Sequence, residues 1–202
     1  MTNFAVALGL QAGAMGVPFL PTRSALGSDL AKNNEFFTEF ESPFTGEKLN
    51  AVKALVPDVT IVHVQRADCE GNAHCWGGFG VMLEGVRAAK KVIVVAEEIV
   101  APEVIASDPN RTVIPGFLVA AVVECSWGAH PSPVQGYYSR DNACFRQYHE
   151  QTKTSADFAA WQARWVDDVK DRREYLNLVG ACRQEELTVK KHAYAALADF
   201  GY

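Results

Sequence analysis

Two short apolar runs set the strongest limit on what this chain can become. Val59-Thr60-Ile61-Val62-His63-Val64 and Val92-Ile93-Val94-Val95-Ala96 are rich in β-branched residues and nearly continuous in apolar character. A strand reads this way when both of its faces are covered. Between the runs, Val81, Met82, Val86 and Ala89 recur at helical spacing. Strand, helix, strand predicts a parallel pair joined by a right-handed crossover, and hence an α/β fold. Ligands of open parallel sheets bind beyond the carboxyl ends of the strands. Here those ends are polar: Gln65-Arg66-Ala67-Asp68 follows the first run and Glu97-Glu98 the second. Val119 to Glu124 reads as a third buried strand. It runs into the proline-stiffened loop Ser126-Trp127-Gly128-Ala129-His130-Pro131-Ser132-Pro133.

The flanking segments read in the same way. Residues 3 to 15 form a buried helix rich in small side chains, with Gly9 and Gly13 four apart on one face. Each glycine costs about 1 kcal/mol in a helix, so close approach of another backbone is expected to offset it. Gly16 stops the helix ahead of Val17-Pro18. Pro18 to Ser24 reads as a stiff extended loop, and its Arg23 suits an anionic substrate or a surface ion pair equally well. Residues 25 to 55 read as an irregular excursion packing Phe36, Phe37, Phe40 and Phe44, with short strands near Asn50 to Ala54. Pro102 opens a short helix. Val113 to Phe117 contains Pro115 and is therefore an edge strand or a loop.

The last third is helical. Asp141 to Lys153 is one helix. Thr154 or Ser155 caps the next, with Asp157 in its first turn. Phe158, Trp161, Trp165 and Val169 make a stripe that reads as core. Gly180 ends that region, and Leu187-Thr188-Val189 is a candidate strand.

A chain of 202 residues is expected to form a single domain, 1–202, able to bury a core without staples. The net charge of −5 and pI near 5.5 argue against a nucleic-acid groove, which needs clustered Lys and Arg. The lysine doublets Lys90-Lys91 and Lys190-Lys191 read as solvated faces. Five cysteines, at 69, 75, 125, 144 and 182, show no disulfide framework, which points to a reduced, cytoplasmic protein. Cys69 and Cys75 with His63 and His74 lack a CxxC pair, so no metal site is expected. Met1-Thr2-Asn3-Phe4 lacks a basic leader, and Phe4 to Leu20 is too interrupted to span a bilayer.

What chemistry do these residues permit? If the loops after the three strands converge, they make a cleft with donors and carboxylates. Gly77-Gly78-Phe79-Gly80 precedes a helix and can present backbone N–H groups to an oxyanion or phosphate. It is neither a Walker loop nor a dinucleotide fingerprint. No serine elbow, zinc signature or Cys–His pair is legible. The residues alone lead to an α/β domain with a cleft at its strand ends.

The motifs themselves go further. Pro57-Asp58-Val59-Thr60-Ile61-Val62-His63-Val64-Gln65 with Asp68, Gly71-Asn72-Ala73 and Trp76-Gly77 resembles the α chain of family I coenzyme A transferases. Val17-Pro18-Phe19-Leu20-Pro21, Ala88-Ala89-Lys90, Glu97-Glu98-Ile99, Ile114-Pro115-Gly116, Gly128-Ala129-His130-Pro131-Ser132, Tyr175-Leu176-Asn177 and Gly180-Ala181 extend the likeness, in order, over nearly the whole chain. The resemblance implies a three-layer α/β sandwich of the CoA-transferase and NagB-like kind, around an open, mostly parallel sheet. It implies a CoA-transferase β subunit as partner, in an αβ or α2β2 assembly. The implied reaction moves CoA between an acyl-CoA thioester and a carboxylic acid, with dicarboxylic acids favoured. The coenzyme A thioester is then a substrate, and no cofactor is held permanently.

In that family a glutamate carries CoA as an enzyme thioester. In two-chain members it belongs to the β subunit, so no catalytic residue is assigned here. Glu97 and Glu98 are expected to pair with Arg or backbone N–H groups instead. Arg23, Gln65, Arg66, Gly77, Gly78 and His130 are the candidates for contacting substrate. The resemblance also implies that the family's opening strands are missing, the chain starting about a third of the way in. Two alternatives stay open: one chain of a CoA-thioester hydrolase of ring degradation, and a truncated, non-catalytic chain.

Overall fold

A computed structural model describes residues 1–189, so the Lys190-Lys191 doublet lies outside the described residues. The chain forms two compact units. One comprises Met1–Val62, Arg66–Val95 and Ile99–Val123; the other comprises His63–Gln65, Ala96–Glu98 and the residues from Glu124 onward.

The first unit opens with α1 (Asn3–Met15), capped by Thr2, whose hydroxyl accepts the Ala5 N–H. Gly16 ends it in the left-handed conformation at φ 69°. The glycine face of α1 does what its spacing predicts. A Cβ on Gly9 would lie 2.9 Å from Leu55 Cγ, and one on Gly13 only 2.2 Å from the Leu55 carbonyl oxygen. The chain passes close enough for the Leu55 N–H to donate to the Gly9 carbonyl at 2.8 Å.

β1 (Phe19–Thr22) follows, then the short α2 (Asp29–Lys32), β2 (Phe37–Glu41) and β3 (Lys48–Lys53). These strands form an antiparallel sheet of order β1-β3-β2. The extended loop and the irregular excursion of the sequence reading are thus one small sheet. Pro21 is tolerated because β1 is an edge strand. Phe37 is buried and Phe19 meets Phe40 edge-to-face at 5.7 Å. Phe44, expected to pack, is 95% exposed in the turn between β2 and β3.

The main sheet contains β4 (Thr60–Ala67), β5 (Ala73–His74), β6 (Val92–Ile99), β7 (Thr112–Ile114) and β8 (Val119–Glu124), in the order β7-β5-β4-β6-β8. As the crossover reading predicts, β4 and β6 are neighbours with α3 (Met82–Ala88) in the connection. The fold is α/β and the sheet is open and mixed, because β5 runs antiparallel to both β4 and β7. Val62, Val64, Ala67, Val92, Val94 and Ala96 are buried, and α1 packs along α3. Between β6 and β7 stands α4 (Pro102–Ala106), with Pro102 in its first turn.

Three strand readings need correction. Gln65-Arg66-Ala67 and Glu97-Glu98 stand inside β4 and β6, not beyond them. Arg66 and Ala67 continue the ladder by pairing with β5, and a polar side chain that finds partners does not end a strand. β4 is not covered on both faces throughout, since Ile61 is 67% exposed. β8 is not a buried strand either: it lies at the sheet's edge with Ala120, Ala121, Val123 and Glu124 exposed.

The second unit is mostly helical: α5 (Asn142–Gln151), α6 (Ser155–Gln162), a π-helical turn (Ala163–Asp167), α7 (Arg172–Val179) and α8 (Ala181–Leu187). Asp141 caps α5, and Thr154 with Asp157 forms a reciprocal capping box on α6. The aromatic stripe is not core. Phe158 is 42% exposed and both tryptophans are half-buried. The candidate strand at 187–189 reduces to one bridge between Tyr138 and Thr188, because α8 runs through Leu187. Among the described residues no helix is long and apolar enough to cross a membrane.

Replacing an exposed helix-interior glycine by alanine normally stabilises by about 1 kcal/mol. Gly13→Ala is expected to do the opposite, losing about 1–3 kcal/mol in urea unfolding, since backbone must move away from the new methyl. Gly78→Ala, with nothing within 4 Å of its Cβ position, is the neutral control.

Candidate active site

The second unit gathers residues from the ends of β4 and β6 and from the segment after β8, and Glu97 is where they meet. Its side chain is only 1% exposed. Oε1 lies 2.6 Å from His63 Nε2 and accepts the Tyr138 hydroxyl at 2.6 Å, while Oε2 accepts the Trp127 backbone N–H at 2.6 Å. An ionised carboxylate can only accept, so His63 donates from Nε2. Glu97 therefore has the role expected of it, with a backbone N–H as one partner.

The surroundings are tight. Trp127 has φ 63°, rare for a residue with a side chain. Its ring stacks on Tyr138 at 4.2 Å and 6°. A Cβ on Gly128 would lie 2.7 Å from His63 Cε1, so only glycine fits there. The Tyr138 hydroxyl also accepts the Ala129 N–H at 3.2 Å. Burial, and then the Glu97 charge, push its pKa far above the ordinary tyrosine value, so it remains a donor.

A second cluster lies along the same loop. His130 is buried, with Nδ1 2.8 Å from the Tyr175 hydroxyl and Nε2 3.1 Å from Asp141 Oδ2. Asp141 accepts the Cys144 N–H at the start of α5 and two bonds from Arg183, at 2.6 and 3.2 Å. Burial would raise the Asp141 carboxyl, but Arg183, the Cys144 N–H and His130 outweigh it and hold the pKa at about 2. Ionised Asp141 fixes the tautomer: Nε2–H donates to it, and Nδ1 accepts from Tyr175. Burial lowers the His130 pKa against the opposing pull of Asp141, so the ring is neutral at neutral pH.

A third constellation belongs to the first unit. Asp68 Oδ1 accepts the N–H groups of Glu70 and Asn72, and Asp68 Oδ2 accepts the Asn72 amide. Asn72 Oδ1 in turn accepts the Gly116 N–H at 2.9 Å. Gly71, at φ 91°, passes under Val119, where a Cβ would approach to 2.8 Å. With every oxygen engaged, this knot fixes the turn after β4 rather than offering groups to a ligand.

The sequence-derived candidates divide between the units. Gln65 and His130 fall in the second. Gln65 is buried, and its amide donates to the Gln135 carbonyl at 3.3 Å. Arg23, Arg66, Gly77 and Gly78 fall in the first. Arg23 is a surface residue whose guanidinium donates to Glu47 at 2.8 Å. Arg66 and Arg111 flank the Trp76 ring at 6.0 and 4.8 Å. Gly77, at φ 95°, and Gly78 lie in the turn leading to α3, with Gly78 open to added atoms. His63, Tyr138, Asp141, Tyr175 and Arg183 escaped the sequence reading. Two of them carried a signal: His63, a titratable side chain inside an apolar run, and Tyr175, which stands in one of the family motifs. Among the described residues no group of three or more His, Cys, Asp or Glu is placed to hold a metal ion.

The sequence pattern of coenzyme A transferases matches residues 5–125, a span that contains both His63 and Glu97. The chain belongs to the coenzyme A transferase family. It is 39% identical to the A chain of glutaconate CoA-transferase from Acidaminococcus fermentans, over 88% of this chain and 61% of that protein. It is 40% identical to the A chain of 3-oxoadipate CoA-transferase from Pseudomonas knackmussii, over 81% of this chain and 57% of the relative. The crystal structure of glutaconate coenzyme A-transferase from Acidaminococcus fermentans superposes with a TM-score of 0.87 at 36% identity, covering 96% of this chain and 66% of that one. The chain thus spans about three-fifths of the length of the curated relatives it matches.

Two outcomes test this geometry. Glu97→Gln turns one acceptor into a donor facing buried donors, and is expected to cost about 2–4 kcal/mol of unfolding free energy. Tyr138→Phe should cost less, and a double-mutant cycle with Glu97→Gln should be non-additive. The second outcome concerns acid. The Asp141 pKa is depressed from 3.8 to about 2, so its contribution of about 2 kcal/mol is complete above about pH 4 and is lost as pH falls towards 2. His130, with a lowered pKa, acts in the same direction as pH drops below its ordinary value of 6.5. In urea titrations at stepped pH, the gap between wild type and Asp141→Asn should therefore close below about pH 4.

Proposed function

We propose that this chain serves as the A-type component of a cytoplasmic, two-chain CoA-transferase. The enzyme would move coenzyme A between an acyl-CoA thioester and a dicarboxylic acid. The observation that carries this reading is the identity of about two residues in five with the corresponding chains of two transferases named for dicarboxylic acids. In the proposed reaction a glutamate of the B-type partner attacks the thioester carbonyl and CoA leaves as the thiolate. The thiolate then attacks the resulting anhydride at the glutamyl carbon. This releases the first acid and leaves CoA on the enzyme; the acceptor acid reverses the sequence.

The chemistry of this chain fits a supporting part. Glu97, an enclosed carboxylate of β6, has its oxygens engaged by three donors, which makes it a poor nucleophile. Taken unit by unit, Gln65 is the group of the second unit, and the N–H groups around Gly77 and Gly78 are the groups of the first, that we assign to substrate; His130, engaged at both ring nitrogens, shapes its own loop instead. Arg66 would contribute positive charge. Arg23, already paired with Glu47, contributes least. The CoA thioester is a substrate here, and no permanent cofactor is required.

The test is co-expression with a B-type partner, followed by CoA exchange between glutaconyl-CoA and acetate. The purified complex is expected to form acetyl-CoA, and neither chain alone should do so. Release of free CoA without an acceptor acid would instead identify a thioester hydrolase, and an intact but inert complex would overturn the catalytic reading.

A further inference from the structure

The helices of the second unit enclose a cavity in two parts that the transferase reading does not use. One part, of about 370 Å³, is walled by Phe145, Tyr148, Trp161, Trp165 and Tyr175. The other, of about 320 Å³, is the more polar of the two, with His130, Asp141, Gln147, Arg164 and Arg183 beside Leu178 and Val179 in its lining. Cys144 and the Trp165 ring belong to both and form the partition.

Three observations give this cavity a ligand chemistry. First, the rings pack on one another in a row and together line the apolar part. Tyr148 meets Trp161 edge-on at 4.9 Å, Trp161 and Trp165 are 6.3 Å apart, and Trp165 meets Tyr175 edge-on at 6.0 Å. Trp161, Trp165 and Tyr175 stay half-buried and Tyr148 is exposed, which leaves apolar surface to spare. Second, the polar part carries one uncompensated positive charge. Arg183 is spent on Asp141 and Glu186, and His130 is neutral. The Arg164 guanidinium has only the Trp165 face, 5.5 Å away, among the described residues. Arg172, outside the lining of both parts, lies 4.5 Å over the Tyr175 ring, donates from Nε to the Ser126 carbonyl at 3.4 Å and keeps one guanidinium nitrogen buried and unpartnered among the described residues. Third, Arg164, Trp165 and Val166 sit on the π-helical turn Ala163–Asp167. Such turns are rare, less favourable than regular helix, and concentrated at functional sites. The capping box at Thr154 fixes where α6 begins, so the widened turn sets where Arg164 and Trp165 point.

We propose that this cavity binds a carboxylate with an apolar tail, such as an arylalkanoic or medium-chain fatty acid. The tail lies among Phe145, Trp161 and Trp165, and the carboxylate lies against the Arg164 guanidinium. Apolar walls with one placed cation suit such an acid, and the volume falls in the usual range for small-ligand sites. Cation and aromatic face reinforce one another, since an anion bound to Arg164 leaves its stacking on Trp165 intact.

The experiment uses the 202-residue chain and needs no partner, so its outcome is independent of the transferase assay. Octanoate and 4-phenylbutyrate are titrated while intrinsic tryptophan fluorescence and binding heat are followed. Acetate serves as the tailless probe and methyl octanoate as the uncharged one. Saturable binding of both long acids is expected, with acetate and the ester at least tenfold weaker. Arg164→Gln should weaken octanoate at least tenfold, and Arg164→Lys should restore most of the loss. Both variants alter an exposed side chain and should keep the wild-type melting temperature. Trp161→Leu should weaken 4-phenylbutyrate more than it weakens octanoate. The proposal fails if wild type shows no saturable binding, or if Arg164→Gln binds octanoate as well as wild type does. It also fails if size-exclusion runs show the chain associating through these rings with no response to added acid.

Discussion

An enclosed negative charge organises the second unit. Taking a carboxylate out of water costs several kcal/mol even after the protein relaxes, and Glu97 is almost wholly out of water. What offsets that cost is a full set of donors: an imidazole from β4, a phenol and a backbone N–H from the segment after β8. Charge-assisted bonds of this kind are about twice as strong as neutral ones, and each fixes a different piece of chain. The unusual backbone of Trp127 follows from this. Its φ of 63° directs its N–H to Glu97 while its ring lies flat on Tyr138. Gly128 follows as well, since the His63 ring occupies the space that a side chain would need.

Much of the first unit could be read directly. The β-branched runs became neighbouring strands, and the glycine pair on α1 marked a close backbone approach. Both signals are local: period, branching and missing side-chain volume depend only on nearby residues. The errors share one cause. Glu97 and Gln65 looked like the beginnings of loops because a polar residue in isolation prefers water, and their partners lie 30 and 70 residues away. β8 looked buried because an edge strand and a central strand can have the same apolar composition. The tryptophan stripe likewise had core periodicity, while its exposure depends on how helices meet.

The family motifs have a physical connection. Asp68, Gly71-Asn72 and Pro115-Gly116 are distant in sequence, but they form one hydrogen-bonded knot. Gly116 has no side chain because a Cβ would come within 2.4 Å of the Glu70 carbonyl oxygen. Gly128, His130 and Tyr175 are linked through the loop after β8, by the His63 ring in one direction and by the imidazole–phenol bond in the other. Residues that looked like separate signatures are pieces of two interlocked turns. This explains their joint appearance without giving every one of them to substrate. It also separates Arg23, which lies at the surface with Glu47, from His130, which is enclosed and held at both ring nitrogens.

The π-helical turn at Ala163–Asp167 has a consequence for how this region tolerates changes in length. A π turn holds one residue more than a regular α turn does. Removing a single residue from it would leave four residues at about 100° each, which carry the chain about as far round the axis as five residues of the wider turn. Trp161 and whatever follows Asp167 would keep nearly the same relative orientation, while the side chains of the turn itself, Arg164 and Trp165, would be re-aimed. The extra residue therefore matters for where those two side chains stand and hardly at all for the helix ends on either side.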